Sequence, residues 1–175
     1  MGKEEFALQL NMTTDYAIRM MLFLYIKRDQ SAVSMEEIAH AMKIPVTYVP
    51  KITRMLKDAG MIETVIGVNG GCRILDMAGN ITLYDIIQVF EPEKINRCLE
   101  DDHLCSRNGY GFCAVCRFYG IKQEEWEHDL KCMTLAFLAS NPDTAAICRT
   151  LEKGRREQQI HRSHMCVAQI VSKRG

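Results

Sequence analysis

Hydrophobic residues in the first third of the chain recur at helical spacing. Ala17, Met20, Met21 and Leu24 fall at i, i+3, i+4 and i+7, which predicts an amphipathic helix from about Thr14 to Lys27 with Asp15, Arg19 and Arg28 on its other face. Ser34-Met-Glu-Glu37 has the form of a capping box and opens a short helix to about Met42, with Ile38, Ala39 and Met42 as its apolar stripe. Lys43-Ile-Pro45 ends that helix, because proline lacks an N–H and biases the preceding residue away from helical angles. The next helix runs to Ala59, with Gly60 at the C-cap position. Taking Thr47 as its N-cap puts Pro50 in the first turn, where N–H groups have no intrahelical partner anyway. Two helices separated by so short a break predict a helix-turn-helix.

Downstream the period changes. Ile62 to Val65 and Arg73 to Leu75 read as short strands around Gly67-Val-Asn-Gly-Gly71, a hairpin of the kind called a wing. Thr82-Leu-Tyr-Asp85 starts another helix, with Leu83, Ile86, Ile87 and Phe90 on one side and Pro92 after its end. A cysteine-bearing loop follows. From about Ile121, Trp126, Leu130, Met133 and Phe137 recur at intervals that form a narrow seam suited to pairing with a second copy of the chain. The fold class is therefore mainly α with a small β-hairpin wing. A winged helix-turn-helix domain spans 8–92, a cysteine-rich loop 93–120, a dimerisation helix 121–140 and a basic tail 141–175.

Charge refines the picture locally. Lys plus Arg and Asp plus Glu both total 22, so any affinity for a polyanion comes from a patch and not from net charge. Between Lys43 and Lys57 stand Lys43, Lys51, Arg54 and Lys57 with no acid, and the last three share a helix face opposite Val49, Ile52, Met55 and Leu56. By itself such a face reads as a solvated surface. Together with the helix pair and wing it reads as a surface for the major groove of double-stranded DNA. No apolar run is long enough to span a bilayer, and the first residues lack a signal-peptide pattern, so a cytoplasmic protein is expected.

Of the eight cysteines, Cys72, Cys132, Cys148 and Cys166 are scattered and read as small apolar residues. Cys98, Cys105, Cys113 and Cys116 crowd together in the loop. In a reducing compartment such a group points to metal binding or thiol chemistry. Thiolates are soft ligands and select iron–sulfur clusters, zinc or copper(I). Zinc sites more often use two Cys-x2-Cys pairs, and this loop has one. A thiol switch is the third reading, with Arg97, Arg107 and Arg117 favouring the thiolates while Glu100, Asp101 and Asp102 offset them. His103 reads as a solvent-exposed loop residue.

Leu10 through Arg19, Ile44-Pro-Val-Thr-Tyr-Val-Pro-Lys-Ile52, Gly67-x-x-Gly-Gly71 followed by Leu75, and the cysteine loop before a Trp-containing helix together resemble the Rrf-two family of winged-helix regulators, over roughly residues 8 to 139. The resemblance implies a homodimeric transcription regulator, more often a repressor, on a pseudo-palindromic site. It puts Thr47, Tyr48, Lys51 and Arg54 on the recognition helix, with the wing near the adjacent minor groove. It also implies an iron–sulfur cluster, [2Fe–2S] or [4Fe–4S], on Cys98, Cys105 and Cys113. Cys116 stands where some members have a histidine ligand, and Asp15 where others supply a carboxylate from the opposite subunit. Where the family commonly has Arg before the first wing glycine and an aromatic after the paired glycines, this chain has Ile66 and Cys72, which leaves Arg73 as the substitute DNA contact. The alternatives are a zinc-binding or cluster-free regulator acting through thiols or a protein partner, and a small thiol or metal enzyme. The enzyme reading lacks a phosphate loop, a strand-borne Cys-x-x-C and a Cys/His/Asp constellation.

Overall fold

The computed structural model describes residues 10–30, 32–67, 70–75, 79–91, 94–100, 109, 112–142 and 144. Among the described residues six α-helices and one hairpin follow in the order α1 (Met12–Ile26), α2 (Met35–Met42), α3 (Val49–Asp58), β1 (Ile62–Val65), β2 (Gly71–Ile74), α4 (Leu83–Phe90), α5 (Ala114–Cys132) and α6 (Leu135–Ser140). The helical content and the hairpin match the fold class expected from the sequence.

Helix α1 is the centre of the fold. It buries Thr14, Tyr16, Ala17, Met20, Met21, Phe23 and Leu24, more than one stripe of its surface, because α2, α3, α4, α6 and β2 all pack on it. Burying side chains such as Phe23, Met20 and Leu24 contributes about 1.5–3 kcal/mol each. Its first turn is closed by the Asn11 side chain, which accepts from the Thr14 N–H at 3.0 Å. Glu91, at the end of α4, reaches the same turn: its Oε1 accepts from the Asn11 N–H at 2.9 Å and from the Thr14 hydroxyl.

The expected caps form. Ser34 Oγ accepts from the Glu37 N–H at 3.1 Å, and Thr82 and Asp85 make a reciprocal capping box. Helix α2 ends on Lys43 in the left-handed conformation (φ 52°), an uncommon state for a side-chain-bearing residue, so the turn begins one residue before Ile44-Pro45. Helix α3 starts later than expected. Its N-cap is Tyr48, without a side-chain cap, and Thr47 lies in the preceding turn; Pro50 is in the first turn as anticipated.

The hairpin pairs Ile62 with Ile74 and Val65 with Gly71. Cys72 also bridges to Val33, with backbone hydrogen bonds of 2.8 Å in each direction. Gly71 permits this approach, since a Cβ there would sit 2.1 Å from the Val33 carbonyl oxygen.

The expected continuous seam from Trp126 to Phe137 is interrupted. Helix α5 begins at Ala114, ahead of Ile121, and stops at Cys132, so Met133 leaves the helix and Phe137 belongs to α6. The interruption is a tertiary effect. Thr134 bridges to Thr82, the Met133 carbonyl accepts from the Leu83 N–H at 2.9 Å, and the Leu135 N–H donates to the Ile81 carbonyl at 2.8 Å. Thr134 then caps α6, accepting from the Phe137 N–H at 3.1 Å, and Leu135 is fully buried. On α5, Trp126 and Leu130 are half-buried, whereas Val115, Phe118 and Ile121 are exposed.

Two glycines give a graded test. Gly60 has φ +70° with nothing near its would-be Cβ, so Gly60→Ala is expected to cost about 1–2 kcal/mol from backbone strain alone. Gly71→Ala should cost more, about 2–4 kcal/mol, because the Val33 strand must move. Denaturant unfolding of both variants measures the order.

Candidate nucleic-acid interface and cysteine site

Helix α3 separates its residues cleanly. Val49, Ile52, Thr53 and Leu56 face the core, while Lys51, Arg54 and Lys57 are exposed. The expected basic face therefore points to solvent, with no acid in the first turn. Arg54 is 84% exposed, and its approach to Asp58 at 3.8 Å is too long and too solvated to hold it. Lys57 donates to the Thr64 hydroxyl at 3.2 Å, which fixes the base of the hairpin to the end of α3. Thr47 is exposed, and the Tyr48 ring packs edge-on against Tyr16 of α1 with centroids 5.4 Å apart.

The hairpin differs in character. Arg73 is paired across the strands with Glu63, so its charge is answered within the hairpin. Ile66, beside the turn, is 97% exposed. Cys72 is fully buried near the Thr53 hydroxyl, at 3.8 Å, and burial pushes its thiol pKa up, as befits a small core residue.

Cys98 lies in a 3₁₀ turn, Arg97–Leu99, and Cys113 is the N-cap of α5. Cys116 is inside α5, not in a loop, and its thiol lies 3.8 Å from the Cys98 carbonyl. The structure thus brings the Cys98 turn onto the helix that carries Cys113 and Cys116, three residues apart and so on neighbouring positions of its surface. Cys105 and His103 lie outside the described residues, as do Cys148 and Cys166; Cys132 is exposed on α5. Among the described residues no three metal-ligating side chains gather at one point. The candidate donors carried by these two segments, Cys98, Cys113 and Cys116, are thiols, a donor type that fits a soft metal or an iron–sulfur cluster and not a hard cation. Asp15 sits in the first turn of α1 and pairs with Arg19 at 2.5 Å.

What holds the Cys98 turn was not apparent from the sequence. Gln123, almost fully buried on α5, accepts from the Ile95 N–H at 2.9 Å and donates to Glu127 at 2.8 Å. Glu127 also accepts from Lys94 at 2.8 Å and Lys131 at 3.3 Å. The Lys94 hydrogen bond, then that of Gln123, lowers the Glu127 carboxyl pKa to about 2, and Lys94 is raised in turn by Glu127. Gln123 and Glu127 are four apart, the spacing that aligns side chains on a helix, but nothing in the sequence marks Lys94 and Ile95 as their partners.

The family described as Rrf2, iron-dependent transcriptional regulator, matches residues 10–141. The regulator NsrR of Geobacillus kaustophilus is 30% identical over 149 residues, covering 85% of this chain and 99% of that protein. Protein rrf2 of Nitratidesulfovibrio vulgaris is 28% identical over 142 residues, covering 81% and 91%. In fold the chain is similar to T. potens IscR (TM-score 0.61, 22% identity, 75% of this chain and 86% of that one). It is likewise similar to CymR of B. subtilis (TM-score 0.58, 22% identity, 77% and 98%). NsrR is named as a transcriptional regulator and CymR as a global cysteine regulator, and no helix among the described residues is long and apolar enough to cross a membrane. Two helices joined by a short turn, a hairpin packed against the second and a family match over three quarters of the sequence agree: the chain belongs to the Rrf2 family of helix-turn-helix transcription regulators.

Proposed function

We propose that this regulator binds double-stranded DNA as a homodimer through α3 and that a cofactor on its cysteines, an iron–sulfur cluster, controls the binding. The observation that carries the reading is the division of α3, with Lys51, Arg54 and Lys57 exposed over a completely buried Val49, Ile52 and Leu56. A rigid helix with a local basic face suits the major groove, with Arg54 placed for a base edge and Lys51 for a phosphate. Thr47 and Tyr48 flank the start of that helix and complete the surface. Two copies related by a twofold axis read a pseudo-palindromic site. The exposed row Val115, Phe118 and Ile121 on α5, in place of the Trp126 seam, is the surface offered to the second copy. Repression follows where such a site overlaps a promoter.

Cys98, Cys105 and Cys113 are the proposed ligands, with Cys116 as the fourth and Asp15 of the opposite subunit as the alternative. Cys116 is favoured by its position against the Cys98 turn, which needs no inter-subunit geometry. When bound, a cluster supplies a redox-sensitive link between the segment after α4 and helix α5. The chain's own part is to hold those two segments together through Gln123 and Glu127.

Replacing Lys51 and Arg54 together with Ala should abolish specific binding. Arg54→Ala alone should cost about 1–3 kcal/mol and relax base preference, whereas Lys51→Ala should weaken all duplexes alike and lower the salt slope by about one. Selection from a randomised duplex library, followed by titration at several salt concentrations, measures both effects.

Protein purified without oxygen should be brown and hold iron and sulfide. Cys98→Ala, Cys105→Ala and Cys113→Ala should each lose the cluster, while Cys132→Ala, Cys148→Ala and Cys166→Ala keep it. Full cluster content without Cys105, or a colourless protein holding zinc, refutes this cofactor assignment.

The Glu127 carboxyl has a folded pKa of about 2, below its ordinary 4.5, so its stabilising contribution is complete above pH 4.5 and disappears as pH falls toward 2. The stability gap between the parent protein and Glu127→Gln, measured by denaturant unfolding, should therefore shrink across that window.

A further inference from the structure

Helix α1 carries a charge that the recognition surface has not yet used. Arg19 is half exposed and its guanidinium carbon lies 5.6 Å from the centroid of the Tyr16 ring. Tyr16 in turn meets Tyr48, the residue that begins α3, at 5.4 Å between ring centroids. Two aromatic rings thus connect Arg19 to the start of the recognition helix, one turn before Lys51. A duplex lying on α3 would bring its phosphates past this end of the helix. The positive charge of Arg19, however, is met by the Asp15 carboxylate, four residues earlier on α1 at 2.5 Å.

We infer that Arg19 is a DNA-phosphate contact that Asp15 holds in check. The inference rests on the reading of α3 as the DNA-binding helix. An exposed ion pair one helical turn apart is weak, so Arg19 is shared between Asp15 and any phosphate within its reach, and the check that Asp15 exerts is partial. Asp15 opposes DNA by occupying Arg19. Any event that withdraws the Asp15 carboxylate, including its capture as a ligand, releases Arg19 toward the backbone of the duplex. Tyr16 and Tyr48 set the route: the guanidinium sits by the Tyr16 ring and moves along an aromatic surface, where a cation is stabilised. A phosphate contact carries no sequence information, so the gain is equal on all sequences and appears in the salt dependence.

The test uses the full chain, with any metal content matched among variants, and a mixed-sequence 30-base-pair duplex titrated at several salt concentrations. Asp15→Asn is expected to tighten binding about twofold at low salt and to steepen the slope of log affinity against log salt by up to about 0.9. Adding Arg19→Ala to Asp15→Asn should cancel both effects, while Arg19→Ala alone should change affinity by less than about twofold. Both side chains are half exposed, and thermal unfolding confirms that the variants fold. If Asp15→Asn leaves affinity unchanged, or if the double variant keeps the gain, the inference is overturned. If Lys51→Ala with Arg54→Ala leaves this binding intact as well, the α3 reading itself fails; if that pair alone matters, only the role of Arg19 is lost.

Discussion

Everything in this fold is arranged around the burial of α1. A helix that hides Tyr16, Ala17, Met20, Met21, Phe23 and Leu24 cannot be stable by itself in water, and five other elements are needed to cover it. This makes α1 the mechanical reference for the recognition helix, whose Val49, Ile52 and Leu56 belong to the same core. It also ties α1 to the second half of the chain. Glu91 binds the first turn of α1 from the end of α4, and Leu135 of α6 enters the core from beyond the cysteines. Helix α3 and the segment beyond α4 thus both pack on one shared helix, and Glu91 after α4 contacts Asn11 and Thr14 at the α1 N-terminus.

The cysteine site depends on a second constraint, a buried polar one. Gln123 is among the few buried polar side chains described, and it satisfies its amide by bonding both the Ile95 N–H and Glu127. A buried amide without those partners would cost about 1–3 kcal/mol, so the Lys94–Leu99 segment is held in one register against α5. That register is what places Cys98 beside Cys116. Lys131 adds a further link, lying 4.2 Å over the Tyr84 ring of α4 while bonding Glu127. The turn that carries Cys98 is therefore positioned by Gln123 and Glu127, not by its cysteine.

Legibility in the sequence followed the range of the interaction. Local signals were readable: Ser34 and Thr82 as caps, Pro50 in a first turn, Gly60 at a left-handed position, and the split of Lys51, Arg54 and Lys57 from Val49, Ile52 and Leu56. Positions decided by distant partners were not. The spacing of Trp126, Leu130, Met133 and Phe137 is helical, but the backbone at Met133 to Leu135 is taken by Ile81 to Leu83, and Thr134 is itself a good cap, so two helices form where periodicity suggests one. The start of α5 was missed because the apolar residues ahead of Ile121, Val115 and Phe118, face outward and mark no core stripe. Thr47 has the chemistry of a cap, yet the turn hydrogen bond from the Tyr48 N–H to the Pro45 carbonyl, at 2.9 Å, delays α3 until Val49. The cysteines were visible as a group, but what orients them was not, since Gln123 and Glu127 look like ordinary surface residues.

The hairpin completes the electrostatic argument. Its strands carry one acid and one base, Glu63 and Arg73, and these pair with each other; the turn from Ile66 to Gly71 contains no charged residue at all. Lys57, the nearest cation, shares its ammonium with Thr64 at the hairpin base. Among the described residues of the wing the only charges are Glu63 and Arg73, a solvent-exposed pair and therefore a weak one, and Ile66 is an almost fully exposed apolar side chain. In a chain of zero net charge, ionic attraction to a polyanion depends on local groups, and on α3 these are the exposed Lys51, Arg54 and Lys57. A few charges of this kind, each modulated by its neighbours, make affinity sensitive to the state of a single carboxylate, which a broadly basic surface would not be.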